Sequence, residues 1–147
     1  MKASLARRQK GAAALEFVAV FVIFFAVFYG VVGYGLPMLM LQSFNQASSE
    51  AVRRCVALDP SSATYGADVQ ALAQKVVGEQ LAWMPDSLDF KFAKDVRITL
   101  SQEHLLTVKI DYAKAKLTAV LPVIDLPLIG EVPRLPASLK AEASLQL

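Results

Sequence analysis

From Phe17 to Leu41 the chain runs for 25 residues without a charged side chain, and the next charge after Glu16 is Glu50. At about 1.5 Å per helical residue, such a run is long enough to cross a hydrocarbon core of roughly 30 Å. It is rich in Val and Phe, a composition that suits a buried strand in a shorter segment. A continuous apolar run of this length satisfies its backbone in lipid only as a helix. The sequence therefore predicts a single transmembrane helix over residues 12–36. Lys2, Arg7, Arg8 and Lys10 precede it, whereas Arg53 and Arg54 lie well beyond its far end. The positive-inside rule then predicts a cytoplasmic N-terminus, with the remainder outside, in the periplasm of a Gram-negative cell.

Glu16 stands at the mouth of that run, in "KGAAALEFVAVF". An ionised carboxylate costs roughly 2.5–3.5 kcal/mol at a helix centre even on a lenient insertion scale. A helix that served only as an anchor would be better without it.

The whole chain, 147 residues and 55% hydrophobic, has room for one small domain and is more apolar than is usual for a soluble protein. Its net charge of +2 is unevenly divided: four of the 15 basic residues lie in the first ten positions, which hold no acid. From Gly11 onward the chain is mildly acidic, with no basic face for nucleic acid.

Beyond the apolar run, "QSFNQASSEAVRRCVAL" keeps Phe44, Ala47, Ala51, Cys55 and Leu58 on roughly one side of a helix, predicting a helical extension over 37–58 that "DPSS" at 59–62 ends. A second helix is expected from Asp68, as N-cap, to about Trp83, with Val69, Leu72, Val76 and Val77 as its apolar stripe. The period then changes to two. "DVRITLS" and "LLTVKIDY" alternate as a hairpin joined by "QEH", a third strand is expected at about Lys116 to Leu121, and "SLKAEASLQL" forms a fourth. The fold class is α+β: a long N-terminal helix, a second helix and a small antiparallel sheet of about four strands, with residues 59–147 as the exported domain. Residues 122–136, "PVIDLPLIGEVPRLP", carry four prolines among many aliphatic side chains. They read either as a long loop folded back on the sheet or as a partner-binding surface.

Catalytic chemistry finds little support. One histidine, His104, and one cysteine, Cys55, do not make a zinc-ligand set or a nucleophile pair. His104 reads as a surface residue at a turn, and Cys55 as a small buried hydrophobe rather than a reactive or intermolecular thiol. Asp86, Asp89, Asp95 and Asp111 are scattered singly and read as solvated. No phosphate-binding glycine pattern occurs; Gly30, Gly33 and Gly35, followed by Pro37, lie inside the apolar run. There they weaken a uniform helix and mark a candidate bend, or permit close helix packing. The expectation is a protein that is not an enzyme and needs no metal or cofactor.

The N-terminal arrangement is a short basic leader ending in Gly11, small residues, a glutamate at the fifth position after that glycine, and an unbroken apolar helix. It resembles the class III signal of type IV pilins and pseudopilins. Where type IVa pilins begin the mature chain with Phe or Met and a "TLIE"-like sequence, this chain reads "AAALEF". Together with "RRQKGAAALEF", "NQASSEAVRR" and the strand-rich ending, it is similar to the TadE-like family of pseudopilins or minor pilins of the tight-adherence system that builds Flp pili. The resemblance is specific over residues 7–56 and architectural beyond; "YGVVGYG" lacks the glutamate of the family's "FGxxEFG"-like middle, and TadE-like and TadF-like members are not separated by it.

The resemblance implies cleavage between Gly11 and Ala12 by a prepilin peptidase, removing residues 1–11. It implies pairing of Glu16 with a freed α-amino group on Ala12, in its own chain or a neighbour's. Its implied partners are that peptidase, other pilin or pseudopilin subunits, the inner-membrane Tad assembly platform and membrane lipid. The implied role is support of pilus assembly and surface adherence. The competing expectations are a Sec-secreted or single-span anchored periplasmic binding domain. Against the first, the apolar run far exceeds the 7–15 residues of a signal h-region; neither explains Glu16.

Overall fold

A computed structural model describes residues 4–126 and 130–147, with side chains over 11–125 and 130–147. The leader's Lys2 and the basic side chains of Arg7, Arg8 and Lys10 lie outside the described parts, as do residues 127–129 of the proline-rich segment.

The first element is one helix, α1, Ser4–Cys55, 52 residues long with Pro37 inside it. Its burial divides it. All residues from Gly11 to Phe25 are exposed on every side. Further along, Met40, Phe44, Ala47, Ser48, Ala51, Val52 and Cys55 are buried, spaced by three and four so that they form a stripe. Phe44, Ala47, Ala51 and Cys55 of the predicted stripe are all in it, and Leu58 packs against the same core.

The second helix, α2, Tyr65–Gln80, starts three residues before the expected N-cap, leaving Asp68 in its first turn. The Thr64 hydroxyl donates to the Asp68 carboxylate at 2.7 Å. Helix α2 buries Tyr65, Val69, Ala73, Val76 and Val77, while Leu72 is half-buried. A short helical turn at Asp86–Leu88 and a one-turn helix α3, Phe92–Asp95, lead into the sheet.

Strands β1 (Val96–Leu100) and β2 (Leu105–Ala113) form the expected antiparallel hairpin, with Val96 opposite Ile110 and Leu100 opposite Leu106. The third strand expected at Lys116 to Leu121 is instead a helix, α4, Lys114–Val120. Ala, Lys and Leu favour that state, and the alternation seen there has one buried side chain, Leu117. The short strands β3 (Ile124–Leu126) and β4 (Gly130–Val132) pair as a separate two-stranded ribbon. Strand β5, Ser138–Gln146, returns to pair along all of β2, giving a three-stranded sheet of order β1–β2–β5 in place of four strands.

The sheet's inner face, with Leu106, Val108, Ile110, Tyr112, Leu139 and Ala141, closes over the α1 and α2 stripes in one core. Small side chains on β5 suit a close approach of α1. Phe44 stacks on Phe90 and lies against Tyr112, with ring centroids 6.0 Å apart in both pairs. The outer face carries the polar residues, among them the Lys109–Glu142 and Lys140–Asp111 pairs at 3.3 and 3.6 Å.

Candidate functional site

The residues singled out by sequence lie along α1. Gly11, Ala12 and Glu16 are exposed on its open portion. Ala12 and Glu16 are four residues apart on a continuous helix, one turn along the same face, separated by about 6 Å of axial rise. Glu16 makes no ion pair with any described residue. A methyl group added to Gly11 would meet nothing within 4 Å. The chain's own packing therefore does not demand glycine at that position.

Around these residues the helix surface is apolar throughout. Leu15 is 73% and Phe17 69% exposed, more than a helix in water tolerates over so many turns. Phe17, Phe21, Phe25 and Tyr29 stack successively at i,i+4, with centroids 6.1, 6.3 and 6.5 Å apart. One helix in the described chain is long and apolar enough to cross a membrane, over Gly11–Cys55. It is an N-terminal apolar helix of the kind that serves as a membrane anchor or a signal.

The glycines and the proline occupy different settings. Gly30 and Gly35 face open space. Gly33 is buried beneath Pro133, whose Cδ would lie 3.5 Å from an added Cβ. Pro37 is buried within the unbroken helix. Beside them, the Tyr29 hydroxyl donates to the Pro122 carbonyl, and the Arg134 backbone N–H donates to the Tyr34 hydroxyl at 2.9 Å. The described parts of the proline-rich segment thus contact α1 through Pro122, Pro133 and Arg134, while Leu135 packs against the domain's core. Nothing local in the sequence announces these contacts, which join residues about a hundred positions apart.

Further up, Glu50 accepts from Arg54 at 2.8 Å and from Arg53 at 2.7 Å. Those guanidinium groups, Arg54 foremost, hold its carboxyl below the usual range. Cys55 is wholly buried with its thiol against the Val69 carbonyl at 3.5 Å. Burial pushes that thiol up, and the residue is the small buried side chain that its place on the apolar stripe suggested.

Among the singly placed carboxylates, Asp95 is not solvated. It is 6% exposed. It accepts from Lys116 Nζ at 2.7 Å on both oxygens and from the Lys91 backbone N–H at 2.7 Å. Lys116 in turn lies 5.5 Å from the centre of the Tyr112 ring. The Tyr112 hydroxyl donates to the Leu88 carbonyl at 2.6 Å. Burial, reinforced by the Asp95 and Asp89 carboxylates, raises that phenol to about 12. This cluster ties α3, α4 and β2 together. Asp86, Asp89 and Asp111 are exposed, as is His104 in the β1–β2 turn. Among the described residues, no group of three or more His, Cys, Asp or Glu is placed to hold a metal ion.

Residues 11–53 match the family model of TadE-like proteins. The match starts at Gly11, runs through the exposed portion of α1 and ends two residues before the helix does. No curated protein and no solved structure matches the chain.

Proposed function

Over residues 11–53 the chain belongs to the TadE-like family, and from that premise we propose that it is a minor pilin or pseudopilin supporting assembly of Flp pili. Its own role is structural rather than catalytic. A prepilin peptidase cuts between Gly11 and Ala12. The mature helix spans the inner membrane within residues 12–36, and the domain that follows lies in the periplasm. Partners are other pilin subunits and the Tad assembly platform.

The observation that carries this reading is the exposed apolar cylinder from Gly11 to Phe25 with a carboxylate, Glu16, that pairs with no described residue and lies one turn from the proposed new N-terminus. The cut frees an amine on Ala12, which offsets Glu16 in the same chain or in a neighbour's; a buried charge is tolerable when so paired. The carboxylate also sits well near a helix N-terminus. Gly30, Gly35 and Pro37 give the helix a place to bend or unwind on assembly, to be read by hydrogen exchange; full protection there in the assembled state excludes unwinding.

Mass spectrometry of the mature N-terminus tests the proposal. A start at Ala12 supports it, a start near residues 35–50 indicates a Sec signal, and retention of Met1 indicates a plain anchor. Because Gly11 has open space around it, Gly11→Val leaves the exported domain intact and isolates the effect on cleavage. Normal maturation of that variant would falsify the assignment.

A further inference from the structure

The β3–β4 ribbon meets α1 low on its apolar run. Ile124 faces Phe21, Val22, Phe25, Ala26 and Tyr29 across an open cleft of about 160 Å³. Above it, Pro122 is bonded to Tyr29, Pro133 covers Gly33, and the Arg134 amide reaches Tyr34. Below that cleft, from Gly11 to Val20, every helix residue is exposed.

That level coincides with a change in the helix's aromatic residues. Phe17, Phe21, Phe24, Phe25 and Phe28 come first, then Tyr29 and Tyr34. Tyrosine favours the boundary where one end of the ring is apolar and the other wet. Ala12 to Phe28 rises about 25 Å, near the lower end of what spans a hydrocarbon core. A hydrocarbon span that ends at Phe28, within the 12–36 run, puts the ribbon at the outer lipid–water boundary.

Its own chemistry fits that depth. Asp125 and Glu131 stand opposite each other in register and are both exposed, and Glu131 approaches Lys114 at 3.8 Å. Two carboxylates on one side and Ile124 and Val132 on the other make the ribbon amphipathic. Val132 is buried against the domain, so what the ribbon can offer lipid is Ile124 at the open cleft, with the two carboxylates turned toward water. The cleft between Ile124 and the Phe rings has too few polar partners to hold ordered water, and it opens onto the same surface that lipid already covers.

We propose that the β3–β4 ribbon is a second, interfacial membrane contact, and that the cleft beneath Ile124 takes an acyl chain of an outer-leaflet lipid. The proposal rests on α1 spanning the bilayer, and the experiment separates the two. Single cysteines are introduced into the full-length Cys55→Ala chain at Val123, Phe21 and Ser62, labelled with an environment-sensitive fluorophore and reconstituted in phosphatidylethanolamine–phosphatidylglycerol vesicles. Quenching is read with lipids bearing nitroxides at shallow or deep acyl positions and with aqueous iodide.

The expected result is loss of Phe21 emission to the deep nitroxide, loss of Val123 emission to the shallow one, and loss of Ser62 emission to iodide alone. Asp125→Cys, on the exposed side of β3 two residues on, carries the measurement if the Val123 variant does not fold. Iodide quenching at Val123 with lipid quenching at Phe21 overturns the ribbon's lipid contact alone. Protection of Val123 from both quenchers overturns it in favour of a second protein chain. Failure of the Phe21 probe to enter lipid overturns the membrane span and this proposal together.

Discussion

Helix α1 is two helices by solvent and one by backbone. From Gly11 to Phe25 it is exposed all round and, Glu16 apart, carries no charge; from Met40 to Cys55 it is apolar in a stripe and forms one wall of the domain's core. A stripe is what water demands of a helix that packs on one side, and an all-round apolar surface is what lipid demands. The difference teaches that hydrophobicity has opposite consequences in the two halves. In the upper half it stabilises the fold, whereas in the lower half it sets location and leaves the fold untouched.

Substitutions sharpen that contrast. Phe44 is fully buried and Phe24 is 64% exposed, so Phe44→Ala should destabilise the domain by about 3–5 kcal/mol, while Phe24→Ala should leave its thermal unfolding within about 0.5 kcal/mol of the parent. Near-UV circular dichroism melts of both variants in the same detergent make the comparison, and equal effects would break it. Asp95→Ala comes next, at about 3 kcal/mol, because it leaves the largely buried Lys116 without its counter-charge. Denaturant titration measures this loss.

Tyr112→Phe removes the 2.6 Å bond to the Leu88 carbonyl and should cost about 1–2 kcal/mol at neutral pH. It also carries a pH signature. The folded phenol titrates at about 12 against an ordinary 10, so between those values the folded state retains a proton that the unfolded state has lost. The parent's stability should fall as pH rises from 10 toward 12, and the Phe variant should lack that component in an alkaline melting series. Smallest is Glu50→Gln. Its partners are exposed, and such pairs contribute little, so the melting temperature should be unchanged within error. Because its folded carboxyl is held low by Arg54 and Arg53, whatever it contributes is present above the ordinary carboxylate range and lost as pH falls through the lowered value.

The long helix, its stripe, the β1–β2 hairpin and the β5 strand were legible because each rests on local periodicity. The misread elements depend on partners distant in sequence. Residues 116–121 alternate well enough for a strand, but α4 is held by Leu117 entering the core and by Lys116 reaching Asp95. Asp95 looked solvated because its partner lies 21 positions away. The three-residue strands of the proline-rich segment are too short to show a period, and the contacts of the flanking Pro122, Pro133 and Arg134 with Tyr29, Gly33 and Tyr34 leave no mark on either stretch alone. Of the candidate site, Gly11, Ala12 and Glu16 were visible from spacing and family likeness; the ribbon beside the helix was not.

The seating of β5 on α1 has a consequence for the order in which this molecule is made. The strand that completes the sheet follows every other element in chain order, and it packs on the first one. If residues 12–36 are threaded first, Met40, Phe44 and Ala47 emerge on the far side well before the strand bearing Leu139 and Ala141. On that topology the side of the stripe that β5 covers stays open until the last strand arrives, α2 and β2 having come first, so the domain closes late and the bilayer is the nearest surface to shelter that side.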